Sequence, residues 1–350
     1  MAVARRSPLV SLTHLTHLTW GRLLRVNGAL LAVLVVTLVA AAALGPVRID
    51  WRRAFDFGAQ VNPDAVILLR ARIPRILLAA IVGGALATAG TALQALLRNP
   101  LADPHLLGVS GGAALAGVCA LVFRPAVLGQ ILVVPAAAFA GALASTWVVF
   151  RLARIGGRLD SYTLLLIGVI YNAFAAGLLM FINTVVDLYQ AQGVLFWLMG
   201  SLANRDYRLV GALALYTLAG LGVLLLRARD LDCLSLGDDR AAELGVEVDR
   251  TRRLIFVAVS LLVGAVVSVS GMIGFVGLVV PHLVRLAIGA DHRLLLPAAY
   301  LAGAIFLVWA DTLARTVLGA TEIPVGVVTA LCGAPFFAYL LRRERWKAAQ

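Results

Sequence analysis

The sequence predicts an all-α membrane protein that crosses the bilayer ten times, and three observations support that prediction. Of its 350 residues, 61% are hydrophobic and 14% are charged, and the mean hydropathy is +0.95. The apolar share of a soluble domain is nearer half. Apolar runs of about 20 residues, the length that crosses the hydrocarbon core, recur along the chain with short polar breaks between them. This composition excludes a large soluble catalytic domain.

The first half of the chain predicts five spans. The run at residues 28–44 follows a basic leader that is too long for a signal peptide, so we interpret it as an uncleaved helix that starts in the cytoplasm. The next four runs are residues 76–97, 106–122, 131–150 and 164–186. The apolar stretch at 194–202 is too short to span, and we expect it at the membrane interface with Trp197 as its anchor.

The second half predicts five more spans. The stretch 254–288 is too long for one helix and is interrupted by small and polar residues at 268–274, so we divide it into two. The other spans are residues 209–226, 294–318 and 324–341. The predicted organisation is an N-terminal tail (1–27), one ten-helix membrane domain (28–341) and a C-terminal tail (342–350), with both termini on one side.

The charge distribution indicates which side is the cytoplasm. The chain has 30 Lys and Arg against 18 Asp and Glu, a net charge of +12, and 20 of those 30 basic residues lie on the side of the termini. Because cytoplasmic loops collect basic residues, we place both termini in the cytoplasm. The basic residues lie between apolar runs and not along a groove with aromatics, so no nucleic-acid partner is expected.

The remaining basic residues concentrate around the first outer loop, where the charge rule disfavours them. Six of these ten residues form the cluster: Arg48, Arg52, Arg53, Arg70, Arg72 and Arg75. This cluster indicates an acidic partner on the outer side. Local pairing with Asp50, Asp56 and Asp64 explains it equally well, and both interpretations stay open.

The chain lacks the residues of a nucleotide site. Its only lysine is Lys347, near the end, whereas a phosphate-binding loop needs a lysine beside a glycine-rich turn. Cys119, Cys233 and Cys332 are far apart and have no C-x-x-C pairing. We therefore expect no ATP hydrolysis by that route, no disulfide framework, and no metal or other cofactor on this chain.

The long polar stretch between the sixth and seventh spans, residues 227–253, contains a predicted short helix. Ser235 and Asp238 resemble a capping box, an Ala-Ala-Glu-Leu core favours helix, and Gly245 is a natural helix stop. In a chain without a nucleotide motif, such a helix is a candidate contact for an energy-supplying subunit. An ordinary structured loop is the alternative.

Six motifs together resemble one known family. In chain order they are RIPRIL at 72–77, RNPLADP at 98–104, LGVSGG at 107–112, GFVGLVVPHLVR at 274–285, DHR at 291–293 and EIPVGVVT at 322–329. Their order and spacing resemble the FecCD permease family of type II ABC importers over about residues 65–341. The resemblance implies a ten-helix permease in the bacterial inner membrane. It also implies a homodimer around a central path, two copies of a separate ATPase that holds ATP and Mg²⁺, and a periplasmic or lipid-anchored binding protein.

The resemblance also assigns residues to these roles. The family's coupling helix matches Ser235, Leu236, Gly237, Asp238, Asp239, Arg240, Ala241, Glu243, Leu244 and Gly245. Arg72, Arg75 and Arg315 match arginines that meet the binding protein, although Asp311 precedes Arg315 by four residues and pairing within the helix is equally expected. Ser161 and Tyr162 match the cytoplasmic gate, where the bulky Tyr162 departs from the cobalamin permease pattern.

The implied cargo is a bulky metal chelate: a ferric siderophore, haem or cobalamin, with iron chelates favoured as the commoner cargo of the family. The chain would be no enzyme itself. A proton-coupled secondary transporter is the alternative, with Asp187, Asp311 or Glu322 as the ionisable group within the membrane. For His282, packing is favoured over contact with a ligand.

Overall fold

The computed structural model describes residues 19–56, 62–123, 130–155, 158–203, 206–319 and 321–349, and it is nearly all helical. Ten helices follow the order of the ten predicted spans. They are α1 (Trp20–Ala43), α4 (Ile73–Leu96), α5 (Val109–Phe123), α6 (Gln130–Leu152), α7 (Ser161–Val185), α9 (Tyr207–Leu226), α12 (Val248–Ser270), α13 (Val276–Ile288), α14 (His292–Thr316) and α15 (Val325–Ala349).

Shorter elements connect these helices. They are α2 (Trp51–Ala54), α3 (Pro63–Val66), a π-helical turn (Ile67–Arg72), a 3₁₀ turn (Pro104–Leu107), the paired strands β1 (Arg154–Ile155) and β2 (Arg158–Leu159), α8 (Leu188–Leu198), α10 (Ala228–Ser235) and α11 (Asp238–Glu243). In the part of the chain described, seven helices are long and apolar enough to cross a membrane, and the apolar stretches of α5, α13 and α15 are shorter. The all-α prediction is confirmed.

Helix α4 forms the centre of the bundle because its small residues allow neighbouring backbones to approach. A Cβ added at Gly83 would overlap the carbonyl group of Gly303 in α14, and one added at Gly90 would overlap the backbone of Gly277 in α13. Helices in lipid associate through such close contacts, since the solvent offers no hydrophobic driving force between them. Helix α4 is accordingly almost entirely buried.

Several helix boundaries differ from the predicted ones. We expected polar connection up to residue 75, but the chain is helical from Pro63, and the π turn carries Arg70 and Arg72 into α4. Pro74 is compatible with this because it lies in the first turn, where its missing N–H is not needed. Helix α1 begins at Trp20, and α15 continues to Ala349 through the residues expected as a tail.

The predicted division of the stretch 254–288 is confirmed, and three chain segments meet at the break. Gly271 has a positive φ of 67°, and a Cβ there would overlap the carbonyl of Trp197. The amide of Ser201 donates to the carbonyl of Ser270 at 2.8 Å. The C-terminal end of α8 and the residues that follow it therefore pack against the break between α12 and α13.

Trp197, expected as the anchor of an interfacial segment, is half-buried, and the placement of 194–202 at the membrane interface stays a prediction. Trp197 belongs to α8, and its ring packs against Gly117 of α5. A Cβ added at Gly117 would lie 3.0 Å from the indole. The small residue leaves a space that the indole fills. The indole therefore stabilises the contact between α5 and α8 and is directed into the protein.

Candidate functional site

The first group of predicted residues lies at the end of the bundle that we assign to the cytoplasm. Helix α11 begins at Asp238, after Gly237 with a φ of 115°, and not at a Ser235 capping box. Ser235 is the last residue of α10, and its hydroxyl donates to the carbonyl of Asp232 at 2.6 Å. The capping-box prediction is therefore wrong, although the short helix lies within 235–245 as expected.

The end of α11 agrees with the prediction for Gly245. This glycine has a φ of 85°, its amide donates to the carbonyl of Ala242 at 2.9 Å, and the amide of Val246 donates to the carbonyl of Ala241 at 3.0 Å. These two bonds are a Schellman motif, which stops a helix at a left-handed residue. Gly245 therefore fixes where α11 ends.

Helix α11 is attached on one face and accessible on the other. The side chain of Ala241 is fully buried in the core, whereas Leu236 and Leu244, on either side of the helix, are 55% and 62% exposed. Asp239, Arg240 and Glu243 are exposed as well. Exposed leucines flanked by charges are available to a partner at this end of the molecule.

Asp238 ties α11 to two other segments. Its Oδ1 lies 2.5 Å from Nη2 of Arg252 in α12 and 3.6 Å from Nη2 of Arg98, which follows α4. The Nη1 of Arg252 also donates to the carbonyl of Leu159 at 3.2 Å. The neighbouring α10 is held separately, because Asp232 accepts from the backbone amide of His292 at 3.0 Å and contacts its ring Nδ1 at 2.6 Å.

The predicted gate residues, Ser161 and Tyr162, follow shortly after Leu159, the residue whose carbonyl Arg252 contacts. Asp160 caps α7 by accepting from the amide and the hydroxyl of Thr163, both at 2.7 Å, and these two hydrogen bonds hold the pKa of Asp160 below its usual value. Ser161 starts the helix and its hydroxyl donates to the carbonyl of Leu96 at 3.4 Å. Tyr162 is 74% exposed.

The second group of predicted residues lies at the opposite end. Arg75 contacts Oδ1 of Asp311 through Nη2 at 2.9 Å and Oε2 of Glu322 through Nη1 at 2.7 Å. Nε of Arg315 lies 3.3 Å from Oδ2 of Asp311. Of the two interpretations for Arg315, pairing within the helix is therefore present in this structure.

Arg72 belongs to the same cluster but is turned toward α1. Its guanidinium donates to the carbonyls of Ala42 at 2.9 Å and Ala43 at 3.3 Å, and also to that of Val47. Arg72 and Arg315 are 4% and 3% exposed. In this conformation Arg75, with 13% of its side chain exposed, is the most accessible of the three predicted docking arginines.

Cavities and exposed arginines surround this cluster. A cavity of about 450 Å³ is lined by Arg75, Glu322 and Trp197 among others, and a second one of about 120 Å³ is lined by all three predicted docking arginines. The more peripheral arginines are exposed: Arg48, Arg52, Arg53 and Arg70. Of the local pairs considered as an alternative, Arg53 and Asp50 lie 3.6 Å apart.

The candidate proton-binding residues have structural partners. Asp187 caps α8 by accepting from the amide of Gln190 at 2.8 Å. Asp311 is 1% exposed between two arginines, and Glu322 is 53% exposed beside Arg75. His282 is buried and its ring meets that of Phe337 edge-on at 6.0 Å, as the packing interpretation expects.

Sequence reasoning did not single out Arg98, Arg252 or Leu159. Arg98 entered only as the first residue of the RNPLADP motif and Arg252 only as a cytoplasmic charge, and Leu159 joins the site through its backbone carbonyl, which no sequence pattern reveals. No group of three or more His, Cys, Asp or Glu able to hold a metal occurs among the residues that the structure describes.

Comparison with known proteins gives one consistent family. Residues 33–343 match the FecCD transport family. The hemin transport system permease protein HmuU of Yersinia pestis is 43% identical over 326 residues, which cover 91% of this chain and 95% of that protein. The cobalamin import system permease protein BtuC of Halobacterium salinarum is 45% identical over 283 residues, covering 81% and 75%.

Two further matches agree with these. The Fe(3+) dicitrate transport system permease protein FecD of Escherichia coli is 40% identical over 304 residues, which cover 86% of this chain and 93% of that protein. A solved structure of a metal-chelate type ABC transporter in an inward-facing conformation superposes with a TM-score of 0.79 and 31% identity, covering 91% of this chain and 99% of that one.

Proposed function

We propose, from the premise that this chain belongs to the FecCD transport family, that it is the membrane subunit of an ATP-driven importer for a bulky metal chelate. The observation that carries this proposal is the 43% identity to a hemin permease over almost the whole of both chains. The chain itself is a transport permease and not an enzyme. A separate subunit hydrolyses ATP with bound Mg²⁺.

The cytoplasmic ATPase contacts helix α11. Support comes from its exposed leucines, Leu236 and Leu244, and from the exposed charges between them. Apolar anchors surrounded by charged residues are the usual composition of a protein interface. Two ATPase copies serve two copies of this chain, one at each α11.

The substrate-binding protein docks at the opposite, outer end. The exposed arginines Arg48, Arg52 and Arg70 give that surface positive charge, and Arg75 contributes the accessible part of the buried cluster. Charge complementarity mainly sets the orientation and the association rate of such a partner. Arg72 and Arg315 add their charge from below the surface.

The transport path forms between two copies of this chain in the inner membrane, with all termini in the cytoplasm. Helix α7 supports this because it is exposed along most of its length, including Tyr162 at 74% and Phe174 at 63%. Ser161 and Tyr162 form the cytoplasmic gate at the inner end of that helix. A lone protomer leaves this face to lipid, whereas a second copy encloses a path against it.

The cargo is an iron chelate or a corrinoid. Relatives at 40–45% identity carry names for hemin, cobalamin and iron(III) dicitrate transport, so the scaffold serves chemically different chelates. The test is uptake by proteoliposomes that contain this chain, its ATPase and its binding protein with internal ATP. Labelled hemin, iron(III) citrate, a ferric siderophore and cobalamin are offered separately. Accumulation of one of them identifies the cargo, and accumulation of none contradicts the proposal.

A further inference from the structure

The carboxylate of Asp238 joins three parts of the chain that are distant in sequence. It belongs to the first residue of α11, and it contacts Arg252 of α12 at 2.5 Å and Arg98, beyond the end of α4, at 3.6 Å. Arg98 is 44% exposed, whereas the side chain of Arg252 is 7% exposed. Of the two arginines, the one at the shorter distance is therefore the buried one, while Asp238 itself is 40% exposed.

Arg252 continues this connection to the start of α7. Its Nη2 holds Asp238 while its Nη1 donates to the carbonyl of Leu159 at 3.2 Å. Leu159 directly precedes Asp160, the residue that caps α7, and Ser161 is the first residue of that helix. One guanidinium thus bridges the ATPase-facing helix and the segment that leads into the gate.

We infer that Arg252 is a positioning residue that transmits displacement of α11, through the backbone at Leu159, to the inner end of α7. This inference rests on the proposed function, because it takes α11 as the ATPase contact and the start of α7 as the gate. The planar guanidinium of Arg252 has its donors in fixed directions. A movement of the Asp238 carboxylate therefore reorients the donor that faces the Leu159 carbonyl.

The burial of Arg252 keeps this contact intact when α11 moves. Leaving a buried arginine without its anion is strongly unfavourable, and the side chain of Arg252 is 7% exposed. Asp238 is 40% exposed, and Arg98 lies 3.6 Å from the same carboxylate oxygen. A displacement of α11 therefore carries the carboxylate of Asp238 and the guanidinium of Arg252 together.

The test compares Arg252→Gln with the matched control Arg250→Gln. Arg250 lies two residues away and pairs with Glu247 at 3.4 Å, but both partners are 71% exposed, so this pair links no segments. The assembled complex is reconstituted with its ATPase and binding protein, and the chelate that the wild type takes up among hemin, iron(III) citrate, a ferric siderophore and cobalamin is the probe. The measured quantities are the ATP hydrolysis rate and the cargo imported per ATP.

For Arg252→Gln we expect the hydrolysis rate to stay near that of the wild type and cargo per ATP to fall about tenfold, within the usual range of coupling between sites. Arg250→Gln should match the wild type in both. Unchanged cargo per ATP in Arg252→Gln overturns the inference, and so does an equal fall in hydrolysis and import, because that result describes a merely structural residue.

Arg252→Lys keeps the inference testable if the glutamine variant does not assemble. Lysine retains the charge, but its single nitrogen cannot hold Asp238 and the Leu159 carbonyl in the same fork geometry. We expect this variant to assemble and still to import less cargo per ATP, and wild-type coupling would overturn the role of the Leu159 contact. Absence of ATP-dependent import by the wild type itself contradicts the proposed function instead.

Discussion

Asp311 shows how single charges are accommodated at the end of the bundle opposite α11. Its side chain is 1% exposed, and it faces Arg75 at 2.9 Å and Arg315 at 3.3 Å. Burying a charge in a low-dielectric environment is tolerable only when it is paired and hydrogen-bonded. The carboxylate therefore links α4 and α14 by pairing with one arginine of each helix.

Replacing Asp311 by Asn should destabilise the protein strongly, because two guanidinium groups then face each other without the anion. We expect a loss of about 3–5 kcal/mol in the free energy of unfolding, the range seen when one partner of a buried pair is removed. Thermal unfolding of the purified protein in detergent measures this loss of stability.

Glu322→Gln is the control for Asp311→Asn. Glu322 also contacts Arg75 but is 53% exposed, so its loss should cost only about 0–1 kcal/mol. Equal effects of the two variants would contradict this account.

Asp160→Ala tests the cap of α7. The two hydrogen bonds from Thr163 favour the charged carboxylate and lower its pKa. A lowered pKa in the folded state means that the carboxylate contributes its full stability at neutral pH and loses it only as the pH falls through the lowered value. We expect the variant to lose about 1 kcal/mol of stability, with the same loss at neutral and mildly acidic pH. Thermal unfolding across that pH range measures it.

Thr163→Val is the matched variant for this cap, because it removes the hydroxyl donor and keeps the backbone amide. Its loss should be smaller than that of Asp160→Ala. A stability loss in Asp160→Ala that disappears between neutral and mildly acidic pH would contradict the lowered pKa.

Among the elements, close helix contacts depend on glycine where two backbones touch. A Cβ at Gly90 would overlap the backbone of Gly277, whereas one at Gly211, in the second turn of α9, has no atom within 4 Å. Gly90→Ala should therefore force α4 and α13 apart and cost about 1–3 kcal/mol, as overpacking usually does. Gly211→Ala should be neutral or stabilising by up to about 1 kcal/mol. Thermal unfolding of both variants decides it, and equal stability would contradict the packing argument.

At the scale of elements, the sequence predicts the existence and order of the helices better than their ends. Ten apolar runs correspond to ten helices because length and hydropathy alone decide whether a segment can cross a bilayer. The start of α4 could not be predicted, since Arg72 is accommodated there by carbonyls of α1 that are about thirty residues away in sequence. The predicted start of α11 at a Ser235 cap is wrong because Ser235 ends α10, and Gly237, with its positive φ, turns the chain before Asp238.

The candidate sites were predictable in part. The resemblance brought together Arg72, Arg75 and Arg315, and the structure places Arg75 and Arg315 on the carboxylate of Asp311 while Arg72 lines the same cavity. Their burial was not predictable, because it depends on how α1, α4 and α14 pack. The connection from Asp238 to Leu159 likewise depends on tertiary contact between three segments and has no signature in the sequence.

For the whole molecule, the outer charge predicts how a binding protein associates. Arg70→Glu should slow association of the binding protein several-fold at low salt, because it reverses an exposed charge on the proposed docking surface. The difference from the wild type should shrink as salt rises, since exposed charges are then screened. Stopped-flow or surface-based association measurements at several salt concentrations test this. Arg229→Glu, which changes an exposed arginine at the opposite end, should leave the association rate unchanged.

The source of transport energy is the central question for the molecule as a whole. The most direct measurement is chelate uptake by proteoliposomes that contain this chain, its ATPase and its binding protein, with internal ATP present or absent and with or without an uncoupler. The account predicts uptake that requires ATP and the binding protein and that persists when the proton gradient is abolished. Uptake by this chain alone, driven by a proton gradient and independent of ATP, would contradict it.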